Sequence, residues 1–486
     1  DGNVHGNEIQ AAEVVLYTLW YLTKSYGVNE RLTTMMDEYV FYLLPSVNPD
    51  GRAAWFAEAG TPHSSRGNRR PEDSDRDGLV DEDPPDDLDG DGHITSMWRE
   101  DPNGRWVRSQ TDPRVFERVR ADEKGSWTPL GSEGIDNDGD GRINEDGLGG
   151  DDMNRNWPSD KQPEYVQGGA GPYPLSAPEV EAIARFIYDH DNIAAVQSYH
   201  NAGGMILRGP GASYRGDEYP GADRRVYDEI ATIGEDILPY YRSMIIAEDL
   251  YTVHGGFATW TAEQLGVISF TNELMTTQKY FQRDIDRPSD EQTWLWRDRI
   301  AFGDVFTDYT EYDHPKYGKV LIGGPNKWSS RSTPTFMLEE ECHRNFAFTM
   351  LHADAMPILE LDRVEVSRLG PQTWSVTFEL RNTKLIPTRT ARSRVKRIGE
   401  PDLLTVMGRS IAPVASGQLD DWFDEDMDPV RHEPGRVLLD EGVWGRSGRI
   451  FRFILTGPEG ATATFRYEAE KARDLQFDVE LREAPE

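Results

Sequence analysis

A single cysteine, Cys342, occurs in 486 residues, so no disulfide can form within the chain and any staple has to be a metal. No apolar run approaches the length of about 18 residues needed to span a bilayer as a helix. Cations are scarce as well: 52 Lys+Arg stand against 86 Asp+Glu, a formal net charge of −34. Nucleic-acid binding draws on clustered cations that release counterions, and a field this negative repels DNA and anionic membrane surfaces alike. Neutral, cationic or metallic partners are expected, with no nucleic acid and no membrane among them. The first residue is Asp1 rather than Met, and no apolar targeting segment follows, so the chain reads as a piece of a longer product. What is present suffices for a folded protein. At 37% hydrophobic and 10% aromatic the chain can bury a large core, and its length suggests two or three domains.

Residues 1–355 alternate strand and helix signals. Apolar runs at 39–44, 193–197 and 267–270 predict short buried strands. Between them, Ile9, Ala12, Leu16 and Leu19 predict one helix. Val180, Ile183 and Ile187 predict another, with Ser176 and Glu179 as its capping box. That alternation is α/β. From 356 to 486 the period changes to two. Trp374, Val376, Phe378 and Leu380 alternate with Ser375, Thr377, Glu379 and Arg381, and Leu475, Phe477, Val479 and Leu481 alternate with polar neighbours. An all-β sandwich domain at 356–486 is expected.

An acidic insert, about 73–151, carries a repeat. Asp73, Asp75, Asp77 and Gly78, closing on Glu82 and Asp83, match Asp136, Asp138, Asp140 and Gly141, closing on Glu145 and Asp146, at six of eleven positions. Asp87, Asp89, Asp91 and Gly92 form a third unit between them. Oxygen ligands at positions 1, 3 and 5 with glycine at 6 suit a hard cation, and Ca²⁺ is the expected ion. The glutamate that closes an EF-hand at position 12 is missing, replaced by Pro84, Trp98 and Gly147, and no amphipathic helices flank the loops. The units resemble thrombospondin type 3 loops, in which late acids, here Asp83 and Asp146, close the shell. The bland alternative is a solvated acidic linker. Loops of modest calcium affinity are useful where calcium is millimolar, which favours an extracytoplasmic, secreted or periplasmic location.

His5 and Glu8 form an HxxE pair at a predicted helix start. His200 follows the 193–197 run, and Glu273 leaves the 267–270 run in the same way, at strand carboxyl ends where open α/β sheets place their ligand crevice. Two histidines and a glutamate make a three-ligand zinc site with a fourth position left open, and a second carboxylate can serve as base. In this combination the chain resembles the M14 (carboxypeptidase A-like) zinc carboxypeptidases over residues 1 to about 350. Further matches are Met97-Trp98-Arg99, Asp152-Met153-Asn154-Arg155-Asn156-Trp157, Tyr199-His200, and the stretch from Tyr251 through Gly255-Gly256 to Ser269-Phe270-Thr271-Asn272-Glu273.

The resemblance implies a mixed sheet flanked by helices and a zinc-dependent carboxypeptidase acting on peptide or protein C-termini. His5, Glu8 and His200 would hold Zn²⁺, Glu273 would be the general base, and Arg99 would stabilise the oxyanion, with Arg105 close enough to compete. Asn154 and Arg155 would bind the substrate's terminal carboxylate, and Tyr251 would close over it. Family members carry several strands before the first ligand, so the catalytic domain reads as N-terminally incomplete, and a fraying start is expected to weaken zinc binding. Seven residues beyond Tyr251, Ala258 takes a position where basic-specific relatives carry an acid. The remaining histidines, His63, His93, His190, His254, His314, His343, His352 and His432, fit no ligand pattern. Because the acidic loops run into Arg99 and toward Arg155, Ca²⁺ would order the rim that aims both. Two other readings stay open: a peptidoglycan-peptide hydrolase with the same zinc chemistry, and a catalytically silent, calcium-dependent adhesion protein.

Overall fold

A four-stranded mixed sheet carries the site in the computed structural model, which describes residues 1–73, 77–145, 148–285 and 288–483. Its strands lie in the order Ala195–Asn201, Ile268–Leu274, Met205–Arg208, Arg242–Ile245. The first pair is parallel, the second antiparallel and the third parallel. Side chains alternate across this sheet. Tyr199 and Asn272 point toward the helix Thr335–Asp354, where both bond Asn345. Their neighbours Ser198, His200, Ser269 and Glu273 point the other way, toward the helix Phe257–Leu265, whose Thr261 hydroxyl meets that of Ser269 at 2.7 Å. Both faces are covered, which is why these strands read as apolar runs rather than alternating ones.

Three local expectations change. The helix Ile9–Ser25 forms, but its buried stripe is Ile9, Ala11, Ala12, Val14, Val15, Thr18 and Leu22, while Leu16 and Leu19 face outward at 44% and 46% exposure. It packs between the strand Ala195–Asn201 and the helix Thr335–Asp354, and that neighbourhood selects the stripe of small and β-branched residues. The helix Pro178–Tyr188 forms without a capping box: Pro178 opens it, and the Ser176 hydroxyl accepts from Asn156 instead. Residues 39–44 are extended but form no strand. A cavity of about 1080 Å³ is lined by these residues and by part of the strand Ala195–Asn201.

The chain start bridges these two segments at one end. Gly2 N–H donates to Leu44 O and Val47 N–H to Gly2 O, while the Asp1 ammonium donates to Gln197 O at 2.8 Å and Tyr199 N–H to Asp1 O. Against the expected fraying, the residues leading into His5 are therefore tied on both sides.

A second, six-stranded antiparallel sheet joins the acidic region to a later segment, in the order Phe116–Arg118, Trp106–Arg108, Trp127–Ser132, Ser96–Glu100, Gly318–Pro325, Phe306–His314. Beyond the helix Thr335–Asp354 all but a short helix is β. A sheet of five strands, from Leu359–Gly370 to Asp428–Pro429, faces one of four, with every pairing antiparallel. Trp374, Val376, Phe378 and Leu380 pack inside with Phe451, Phe453, Phe465 and Tyr467, as the period-two pattern requires. One excursion returns to the α/β body: Ile386 joins its core, and the Asp223 carboxylate accepts from the backbone N–H groups of Ala391 and Arg392 at 2.9 and 2.8 Å. No helix among the described residues is long and apolar enough to cross a membrane.

Candidate active site

The register of two strands brings the first pair of groups together. His200 and Glu273 are direct partners in the parallel ladder, so both side chains leave the same face at the carboxyl ends of their strands. His5 and Glu8 come from the turn before the helix Ile9–Ser25. The buried Asn3 shapes that turn, its amide donating to the carbonyls of His5 and Gly6. One ligand atom from each of His5, Glu8 and His200 lies within 4.8 Å of the others. The two Nδ1 atoms face each other at 3.2 Å, and each lies 2.9 Å from a Glu8 oxygen. All three residues are at most 3% exposed. Two imidazole nitrogens opposed at this distance, with a buried carboxylate between them, leave room for a cation and little reason to exist without one. The donor set fits Zn²⁺.

Sequence reasoning missed the groups around the cluster. His5 Nε2 meets the Asp152 carboxylate at 2.9 Å, so the imidazole is oriented from behind and presents Nδ1 to the site. Arg66 bonds both Asp152, through Nε at 3.0 Å, and Glu8, through Nη1 at 3.3 Å. Arg331 reaches Glu8 at 3.4 Å and Asn201 O at 3.3 Å. Asp152 was visible as the start of the Asn-Arg segment. Arg66 and Arg331 lie in stretches with no signal of their own.

Burial alone would raise the Glu8 carboxyl, but His5 and His200 outweigh it and hold it well below the usual carboxylate range. Burial likewise opposes ionisation of Asp152, and His5, Arg155 and Arg66 again hold it low. Glu273 goes the other way. Burial, then repulsion from Glu8, pushes it up to about 7 against the pull of His200, Arg66 and Arg331. Two carboxylates in one cluster are thus shifted in opposite directions, Glu8 down and Glu273 up.

Asn154 and Arg155, the pair expected to bind a carboxylate, follow Asp152 in the short 3₁₀ turn Met153–Arg155, and Asn154 Oδ1 accepts the Phe257 N–H at 2.9 Å, leaving its amide N–H groups to donate elsewhere. Tyr251 stands 59% exposed on the segment leading to the helix Phe257–Leu265.

Arg99, expected to stabilise the oxyanion, lies in the other sheet. It belongs to the strand Ser96–Glu100 in the six-stranded sheet, where its guanidinium lies over the Tyr317 ring, 5.8 Å from the centroid. Strand pairing on both sides holds it there, and the cationic groups beside Glu8 and Glu273 are Arg66 and Arg331. Arg105 does not replace it, being spent on the carbonyls of Arg120 and Ala121.

In the acidic insert, Gly78, Gly92 and Gly141 all adopt the left-handed conformation, with φ of +103, +85 and +95°, as position 6 of such a loop requires. Among the described residues, carboxylates converge in four groups: Asp77, Glu82 and Asp138; Asp83, Asp138 and Glu145; Asp87, Asp89 and Glu133; and Asp136, Asp138 and Asp140. Glu133 was not anticipated. Asp73 accepts the Gly78 N–H at 3.1 Å but falls in none of these groups, nor does Asp91, and Asp75 and Asp146 lie outside the described residues. The two ends of the insert are clamped, Asn68 N–H to Asp151 O and Asp151 N–H to Asn68 Oδ1.

A mixed α/β sheet with this cluster at its strand ends defines a metallohydrolase-type centre, and comparison with known proteins gives the family. The model described as zinc carboxypeptidase matches residues 1–295, more than half of the chain, and the chain belongs to that family. Membership implies a catalytic zinc. A second model, described as a domain of unknown function (DUF8731), matches residues 358–480. Carboxypeptidase A2 of Rattus norvegicus is 23% identical over 310 residues, covering 61% of this chain and 55% of that protein. Carboxypeptidase Z of Mus musculus is 41% identical over 58 residues, 12% of this chain and 9% of that one. Carboxypeptidase D of Homo sapiens is 40% identical over 50 residues, 10% and 4%. The chain thus spans less than two thirds of the length of these relatives. The crystal structure of thrombin activatable fibrinolysis inhibitor aligns with a TM-score of 0.39 at 17% identity, over 72% of this chain and 59% of that one, too slight a likeness to argue from.

Proposed function

We propose that the protein is a zinc-dependent metallocarboxypeptidase that removes the C-terminal residue of peptides. The observation that carries this is the convergence of His5, Glu8 and His200 within 4.8 Å, with Glu273 in ladder register with His200. Zn²⁺ held by these three residues supplies Lewis acidity, lowering the pKa of water and polarising a carbonyl. Glu273, poised near neutrality, accepts the proton of the attacking water and delivers it to the departing amine. Arg66 takes the role first given to Arg99 and donates to the developing oxyanion. Arg155 and Asn154 grip the free terminal carboxylate, which an internal peptide bond does not offer, and this selects chain ends. Tyr251 closes over the bound residue and excludes water. Ala258 leaves no acid for a basic side chain. A catalytically silent protein would have no use for a base poised beside two histidines.

We also propose that the acidic loops bind Ca²⁺ as a structural cofactor, that the protein works outside the cytoplasm, and that catalytic and sandwich units divide near residue 355. The left-handed glycines and converging carboxylates support the ion. With Arg99 elsewhere, its influence would reach the site through Asn68 and Asp151, which flank Arg66 and Asp152. Selective calcium removal with zinc replenished should then slow cleavage, and unchanged cleavage would reject this role.

The main test is metal analysis with a panel of C-terminally free and blocked peptides. Cleavage of free peptides alone, by a zinc-bearing chain, is expected. Equal cleavage of blocked peptides would remove the exopeptidase reading.

A further inference from the structure

The segment that carries Tyr251 is knitted to the segment that carries Asn154 and Arg155. Trp157 N–H donates to Gly255 O at 3.1 Å, Gly255 N–H to Ser159 O at 3.2 Å, and Phe257 N–H to Asn154 Oδ1 at 2.9 Å. The approach is so close that a Cβ on Gly255, at φ of +64°, would lie 2.2 Å from the Arg155 carbonyl oxygen. At the outer end of this seam, one residue before Gly255, His254 Nδ1 meets the Asp160 carboxylate at 2.7 Å. Both partners are held from outside the pair. The Tyr214 hydroxyl donates to the two Asp160 oxygens at 2.8 and 2.7 Å, Gln162 donates to one of them at 3.2 Å, and His254 N–H donates to Gln167 Oε1 at 3.2 Å. Ser159, next to Asp160, donates to the buried Glu263, which Arg215 also grips at 2.6 Å. His254 is 9% exposed and sits outside the ligand cluster.

We infer that His254 and Asp160 are positioning residues that fix the lid segment at Tyr251 against the carboxylate-binding segment at Asn154 and Arg155, and so set the span that a substrate's terminal residue must fill. This deepens the reading of the site as a carboxypeptidase centre. A hydrogen bond between side chains 94 residues apart, one step from an enforced glycine, locks both segments at the point where the backbone seam would otherwise end. Neither residue touches the reacting atoms. Their effect belongs in substrate binding, common to ground and transition states, and so in KM rather than kcat.

The test compares the zinc-loaded chain with its His254→Ala, His254→Asn and Asp160→Asn variants, by amide hydrogen exchange over residues 251–257 and by steady-state kinetics on C-terminally free peptides. His254→Ala should speed exchange across 251–257 and raise KM, each by about tenfold, the scale of one charge-assisted hydrogen bond, with kcat held within about threefold. Asp160→Asn should move both in the same direction by less. His254→Asn, whose amide can still donate to Asp160, should restore both toward wild type. Unchanged exchange in His254→Ala, faster exchange with unchanged KM, or no rescue by asparagine would overturn the inference. If the wild type cleaves no peptide, the proposed function fails, and the exchange measurements with their asparagine rescue decide the positioning role by themselves.

Discussion

The two interiors of this molecule are built on opposite terms. In the C-terminal sandwich, Trp374, Val376, Phe378, Leu380, Phe451, Phe453 and Phe465 fill the space between sheets with side chains that carry almost no polar atoms, and their burial is favourable without any partner. In the α/β unit, His5, Glu8, His200, Asp152 and Glu273 crowd one end of a sheet, backed by Arg66 and Arg331. Removing such groups from water costs several kcal/mol per ion, and the mutual contacts offset that cost at best. The sandwich interior is what stability alone selects. The cluster is what a chemical task selects, and it persists because the surrounding fold is stable enough to hold it.

The sharpest way to break that contrast is Glu273→Gln. The substitution keeps the shape and removes the carboxylate proposed to carry the proton, so kcat should fall by about 10³ to 10⁴-fold while zinc content stays that of the wild type. Metal analysis beside peptide turnover checks it, and residual activity near wild type would mean that Glu273 serves structure rather than chemistry. Next comes Phe378→Ala in the opposite interior, where a fully buried ring is lost from a packed core. Denaturant unfolding should show about 3–5 kcal/mol of lost stability, with zinc affinity of the folded chain unaltered. A coupled loss of zinc affinity would show that the sandwich, through Ile386 and Asp223, holds the site in shape.

A smaller effect is expected behind the ligands. Asp152→Asn keeps an acceptor at His5 Nε2 but removes the negative charge that strengthens the imidazole as a donor to a cation. Zinc affinity should drop by about 10 to 100-fold in a chelator competition. An unchanged affinity would mean that Arg66, which also grips Glu8, fixes the ligand geometry without Asp152.

How much of this was readable differs between the two regions. The sandwich announced itself because a strand with one buried face writes a period of two directly into the sequence, and Trp374, Val376, Phe378 and Leu380 fell inside as written, although Thr377 and Glu379 on the opposite face are buried as well. The α/β unit was legible where chemistry fixes residue type, at His5, Glu8, His200 and Glu273, and at strands buried on both faces. It was not legible where a partner remote in sequence decides the outcome. Residues 39–44 have a strand's composition but form no ladder, and Leu44 at their end accepts from Gly2. Leu16 and Leu19 are apolar, yet the helix Thr335–Asp354 selects a different stripe. Arg66 and Arg331 are ordinary arginines until folding brings them to Glu8.

Arg99 gives the smallest expected effect and tests the same lesson from the other side. Its neighbours in sequence, Met97 and Trp98, suggested the oxyanion role, and the structure places it in the six-stranded sheet rather than in the sheet that carries the cluster. Met97 is fully buried in a small apolar cluster with Val320 and Ile322, and Ser96–Glu100 pairs with a strand on each side, with the Arg99 guanidinium over Tyr317. Arg99→Ala should therefore leave kcat/KM within about twofold of wild type, because a half-buried cation–π contact is worth only about 0.5–2 kcal/mol, and that contact lies in the other sheet. A loss of about a hundredfold, the size expected for removing an oxyanion donor, would show that the six-stranded sheet moves onto the site during turnover, and Arg66 would lose the role argued for it.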